Sequence, residues 1–182
     1  MPLDTELDAE AILALLDLKP MPQEGGYYRE TYRAATTLAE EALPEEYIGQ
    51  RNASTAIYFL ITPEECSALH ILPSDEVFHF YLGDPVEMLR LGVGSDGDAG
   101  DVTTLGTDLA AGQRPQVVVE GGVWQGCRLK DGGRLALLGC TVAPGFDFRD
   151  FHVATPTEVE DLAEAYPDYA AMVRRLAPRS SL

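Results

Sequence analysis

The chain has 182 residues, with 30 Asp or Glu against 13 Lys or Arg and a formal charge of −17. That length fits one domain able to bury its own core without a disulfide or metal staple. The charge repels phosphate backbones and anionic lipid, which argues against nucleic acid and membranes as partners.

The first ten residues are acidic and lack an apolar run, so no signal peptide is expected. Asp4 or Thr5 can cap a helix in which Leu7, Ala11, Ile12, Leu15 and Leu16 recur at helical spacing. That helix is expected over about residues 5–18, ending before Lys19-Pro20. Pro20, Pro22, Gly25 and Gly26 mark a turn-rich loop, with the double glycine read as a bulge or tight turn. From Tyr27 the pattern changes. Tyr27–Arg33, Thr55–Ile61, Val77–Tyr81, Val86–Val93, Val102–Leu105, Val117–Val119, Val123–Leu129 and Leu135–Val142 read as short strands. Turn signals lie between most of them, among them Gly83-Asp84-Pro85, Gly121-Gly122 and Asp131-Gly132-Gly133. Gly94–Gly100 lacks the closing Glu of a calcium loop and reads as a hairpin turn. Thr157 can cap Glu158–Ala165, Pro167 breaks the pattern, and Tyr169–Leu176 resumes it. The expectation is one all-β domain, an antiparallel sandwich or barrel over about residues 22–152, with helices over about 5–18 and 157–177.

The longest apolar runs, such as Ala56–Ile61, are too short to span a bilayer. Cys66, Cys127 and Cys140 are isolated, with no C-x-x-C spacing. They speak against a disulfide framework or zinc ribbon and for a reducing, cytoplasmic compartment.

His70 and His79 flank Glu76 within Ser67–Gly83. Imidazole and carboxylate together suit Zn, Mn, Fe or Ni, and the same groups can donate and accept protons. A core histidine satisfied by its neighbours is the equal alternative. If Glu76 starts a strand, alternation puts Phe78 and Phe80 on its face and Val77 and His79 on the other. His70 therefore outranks His79 as the partner of Glu76. Arg29, Arg33, Arg51 and Arg128 can clamp an anion or simply pair on the surface. Trp124 can stack on a ring or pack in the core or a subunit interface. Cys140 reads as a buried, inert thiol, Asp147 and Asp150 as turn residues, and His152 as structural.

Ser67–Gly83 resembles the first cupin motif. Glu76 and Gly83 keep its spacing, His70 stands at the second histidine position with one extra residue before Glu76, and Ala68 holds the first. Gly112 and Glu120–Gln125 resemble the second motif, with Gln125 at its histidine and Glu120 at its proline. The whole chain is similar to the cupin type-five subfamily through Glu24–Glu30, Ser54–Leu60, Ser74–Tyr81, Gly83-Asp84-Pro85, Gly122–Leu129 and Gly139–Phe148. This resemblance implies an all-β double-stranded β-helix, a cupin jelly-roll barrel, that forms a homodimer and holds a small molecule. Ala68-Leu69-His70 also resembles the G-L-H segment of the dTDP-keto-sugar 3,5-epimerases, which are RmlC-like barrels whose histidine is a metal-free base. Carried over, His70 is the base, Glu76 positions the ligand and Tyr58 is the acid. An amide is a poorer ligand than imidazole, so a divalent metal on His70, Glu76 and Gln125 is the lesser expectation. Gln125, His79, Trp124, Arg29 and Arg51 are then expected to contact the ligand. The implied function is acid–base catalysis, epimerase- or isomerase-like, on a carbonyl-bearing or sugar-like metabolite. A non-catalytic binding or storage-like barrel is the alternative, and a metal-dependent oxygenase or isomerase a further one.

Overall fold

A computed structural model describes residues 7–94 and 99–178. Helix α1 spans Ala9–Leu16, and the Asp8 carboxylate caps it by accepting from the Ala11 amide at 2.8 Å. The expected caps Asp4 and Thr5 lie outside the described residues. Ile12 of α1 is buried against Leu18, Leu60, Leu135 and Leu137, a contact of about 1.5–3 kcal/mol.

Strands β1 (Lys19–Pro20) and β2 (Tyr27–Arg33) open the barrel. A short ribbon of β3 (Thr37–Leu38) and β4 (Arg51–Asn52) precedes β5 (Thr55–Ile61). Then follow β6 (Ser67–Ile71), β7 (Asp75–Gly83), β8 (Val86–Val93), β9 (Ala99–Leu105), β10 (Gln116–Val119), β11 (Trp124–Leu129), β12 (Ala136–Ala143) and β13 (His152–Val153). They form an antiparallel six-stranded sheet in the order β1-β2-β5-β12-β7-β10 and a five-stranded sheet in the order β13-β6-β11-β8-β9. Phe59 and Ile61 of β5, Phe78 of β7, Met88 of β8, Cys127 of β11 and Leu138 of β12 meet between the sheets in one core. This is a double-stranded β-helix.

Two helices, α2 (Pro156–Ala165) and α3 (Ala170–Arg175), cover the back of the five-stranded sheet through Leu69, Leu89, Leu91, Val159 and Val173. The cap of α2 is Thr155, not the expected Thr157. Pro156 fits the first helical position, and Thr155 and Glu158 bond reciprocally in a capping box. Strand β6 was not expected: Ser, Ala and His dilute the β-branched signal of its sequence. It carries a bulge. Gln125 and Cys127, two residues apart on β11, pair with His70 and Ser67, three apart on β6. The extra residue lets Ser67 and His70 both face the interior.

Candidate functional site

The site begins in the loop before β2. Gly25 and Gly26 have φ of +93° and +71°, in the left-handed region. A Cβ on Gly25 would lie 2.6 Å from the Cys66 carbonyl oxygen, and one on Gly26 would lie 2.9 Å from the Phe59 ring. Glycine at both positions lets the loop press against β5 and β6. The Glu24 carbonyl accepts from the Ala68 amide at 2.9 Å, and its buried carboxyl accepts from the Ser67 hydroxyl at 2.6 Å. Burial pushes the Glu24 carboxyl above its ordinary range, against the pull of the His70 charge.

His70 is 2% exposed. Its Nδ1 lies 2.7 Å from the Ala68 carbonyl oxygen, which can only accept, so Nδ1 carries a proton. Nε2 lies 3.8 Å from Glu76 Oε2, an ion-pair distance rather than a hydrogen bond. Gln125 Nε2 donates to the same Glu76 oxygen at 2.7 Å. Burial alone would pull the imidazole down. The charge of Glu24 and the neighbouring Glu76 outweigh it and hold the group up at about 9. At neutral pH the ring is therefore an imidazolium between two carboxyl groups. Cys140 sits beside Glu76 on β12, and burial, reinforced by Glu76 and Glu24, raises its thiol well above the usual range. It is a neutral thiol, not a nucleophile.

These groups open on a cavity of about 340 Å³, at the lower end of the ~300–1,000 Å³ typical of ligand pockets. Glu24, His70, Glu76 and Cys140 form its polar part; Ile57, Phe59 and the rings of Phe146, Phe148 and Phe151 form an apolar wall. The three rings pack edge to face at centroid distances of 5.0, 5.6 and 6.3 Å, and Phe151 lies 5.1 Å from the His70 ring. Arg33 lies at the rim, held by Glu30 at 2.7 and 2.9 Å.

The structure thus brings His70, Glu76 and Gln125 together. Gln125 acts from behind Glu76 and is not among the cavity-lining residues. Five expected site residues stand elsewhere. Tyr58 points to the opposite face of β5 from Ile57 and Phe59, packs toward Leu60 beneath α1, and contacts Tyr81 edge-on at 6.1 Å. Alternation along the strand takes it out of the barrel. Arg29 pairs with Tyr58 on that outer face, its guanidinium 5.8 Å over the Tyr58 ring. His79 shares the same face, between Gln116 and Thr141 at 3.3 Å each. Trp124 alternates with Gln125, so it turns toward the helices and contacts His152. Arg51 is buried and fully committed. It donates to both oxygens of Asp150 and to the carbonyls of Ile48, Gly49 and Gln50. It clamps the protein's own chain rather than a ligand.

Sequence reasoning missed Glu24 and the Phe146–Phe151 wall. A carboxylate directly before two glycines was the available signal for the first. Three phenylalanines within six turn residues, where nothing apolar is needed on a surface, was the signal for the second.

The donor set does not fit a resident metal. No three His, Cys, Asp or Glu side chains among the described residues are placed to hold one. His70 supplies one imidazole nitrogen, since Nδ1 is held on the Ala68 carbonyl, and Glu76 Oε2 already accepts from Gln125.

Residues 10–154 match the family described as Cupin superfamily (DUF985). The chain belongs to that family. It is 30% identical over 165 residues to the uncharacterised Saccharomyces cerevisiae protein YML079W, covering 78% of each chain. A hypothetical protein from Leishmania major superposes with a TM-score of 0.80 at 35% identity, over 95% of this chain and all of the other. Protein SO0799 from Shewanella oneidensis gives 0.77 at 34%, over 95% and 99%. A cupin 2 domain-containing protein from Halorhodospira halophila gives 0.52 at 12%, over 88% of each, and supports the fold alone. No helix among the described residues is long and apolar enough to cross a membrane.

Proposed function

We propose that the chain is an acid–base cupin that moves a proton on a small carbonyl-bearing, sugar-like metabolite. One observation carries the reading. A buried imidazole has Nδ1 fixed by Ala68, leaving Nε2–H beside Glu76 on the cavity. The charged state of His70 reverses the role expected from sequence. His70 is the acid, giving its Nε2 proton to the carbonyl oxygen. Glu76, oriented by the Gln125 amide, is the base that takes the proton from the neighbouring carbon. Loss of C–H and gain of O–H yield an enediol. Returning the proton to either carbon, or to the other face, yields an isomer or epimer. Tyr58, on the outer face, takes no part.

Solvent exchange tests this without knowing the product. In D₂O, ketoses and hydroxyaldehydes incubated with the protein should gain deuterium at the carbon next to the carbonyl. His70→Ala and Glu76→Gln should each slow that exchange by about 10²-fold or more. Ligands that bind yet never exchange would leave a non-catalytic binder.

We also propose a homodimer through the outer face of the six-stranded sheet. Arg29, Tyr58 and His79 lie in register there, and Tyr81 and Val118 are exposed. Sedimentation at twice the monomer mass is the expected result. Cys66, Cys127 and Cys140 form no disulfide among the described residues, which favours a reducing, cytoplasmic setting.

A further inference from the structure

We infer that the cavity selects an uncharged, hydroxyl-rich carbonyl compound and rejects carboxylates and phosphates, with Glu24 setting that preference. The inference rests on the reading of the cavity as the ligand site, and it narrows what that site takes.

Around Glu24, His70 and Glu76 the cavity offers more acceptors than donors; the Tyr28 and Thr55 hydroxyls and the Cys140 thiol also line it and can each donate one hydrogen. The Ser67 hydroxyl is spent on Glu24, and a Gln125 N–H is spent on Glu76. His70 Nδ1–H is spent on Ala68, so Nε2–H, ion-paired with Glu76 at 3.8 Å, is the ring donor that reaches a ligand. The carboxyl groups of Glu24 and Glu76 both retain acceptor capacity, since each has about four lone-pair positions. The surplus continues behind them: Gln125 Oε1 is buried and has no hydrogen-bond partner among the described residues. A ligand that completes such a set must bring donors. Hydroxyl groups do. A carboxylate or phosphate brings acceptors and a charge beside two carboxyl groups.

The cations near the rim cannot offset this. Arg33 gives Nε and Nη2 to Glu30, Nη1 to Asn52, and both Nη groups to the Phe146 carbonyl. Arg149 gives Nε and Nη2 to Asp147 at 3.0 and 2.7 Å. Lining carboxyl groups number four (Glu24, Glu30, Glu76, Asp147) against two cations, Arg33 and His70. Arg33, the one arginine among the lining residues, therefore offers an anion no free guanidinium fork. The phenyl wall suits the C–H face of a sugar-like body. Of the two deep carboxyl groups, Glu76 is held by Gln125 and paired with His70. Glu24 has one oxygen anchored on Ser67, which leaves the other for a ligand hydroxyl.

The test is ligand-observed NMR with three matched pairs: D-erythrulose and its 4-phosphate, D-fructose and its 6-phosphate, D-glyceraldehyde and D-glycerate. At least one neutral member should bind, and tighter than its anionic partner by about tenfold or more. Glu24→Gln, which is isosteric and keeps an oxygen for Ser67, should shrink that ratio to about twofold or less, with circular dichroism confirming the fold. The wild-type comparison stands alone if that variant does not fold. Anionic members that bind as well as neutral ones overturn the inference. So does the absence of binding by every neutral member at about 10 mM. An unchanged ratio in folded Glu24→Gln removes Glu24 from it. Neutral ligands that bind without exchanging deuterium would sink the proposed catalysis and leave the selectivity standing; an anion that exchanges would do the reverse.

Discussion

Replacing Glu76 by Gln removes a charge beside His70 while keeping an oxygen for the Gln125 amide. In the native protein His70 is raised from 6.5 to about 9. At 1.36 kcal/mol per unit, that difference couples about 3 kcal/mol of folding stability to the proton. The folded pKa is the higher one. The stability is therefore fully present below pH 6.5 and is lost as pH rises through about 9. Glu24, also raised, acts in the same direction from its own ordinary value upward. Burial lowers the imidazole and the two carboxyl groups raise it. With Glu76 neutral, only Glu24 and the Ala68 carbonyl oppose burial, and the His70 pKa should fall by at least about one unit. Urea unfolding at about pH 6 and about pH 9.5 should show the wild type losing ~3 kcal/mol through His70, on top of what Glu24, Cys127 and Cys140 lose, and Glu76→Gln losing at least ~1 kcal/mol less than the wild type. Nitrogen NMR of the imidazole reads the same shift directly. A wild type equally stable at both pH values, or a variant whose His70 still titrates near 9, would refute the electrostatic account.

Gly25→Ala forces a Cβ against the Cys66 carbonyl at positive φ; a loss of about 1–3 kcal/mol in urea unfolding is expected, and a neutral effect would contradict the loop packing. Arg51→Ala leaves Asp150 buried without its partner and should cost about 3–5 kcal/mol, read as a large drop in Tm. Tyr58→Phe should leave the deuterium exchange rate within about twofold of wild type; a loss near 10²-fold would restore Tyr58 as the acid. Exhaustive chelation should leave that rate unchanged, whereas near-stoichiometric metal whose removal abolishes exchange would overturn the donor-set argument.

The strands that were legible in sequence are those whose apolar residues are dense or β-branched, such as β5 and β8. Their bounds match the expectation. Strand β6 was hidden because its inward residues are polar and small. Its bulge breaks the two-residue period that sequence reasoning follows. His70 and Glu76 were found through spacing to a motif. Tyr58 was misplaced because alternation shows which residues share a face, not which face is inside. Ile57 and Phe59 on either side hold the inner positions. Glu24 and the phenyl wall depend on contacts far apart in the chain, Glu24 with Ser67 and the Phe146 amide with Thr55 Oγ1 at 3.0 Å. No local pattern carries such contacts.

The stretch bearing the three phenylalanines is tied down at both ends, by Arg33 and Thr55 at Phe146 and by Arg51 at Asp150. Of the three rings only Phe148 reaches solvent substantially, at 49%. Motion of this wall is then limited to ring rotations, picosecond-to-nanosecond events, rather than to a hinge that opens in microseconds. The wall thus reaches a bound compound already formed, and its rings rather than its backbone adjust to the compound's shape.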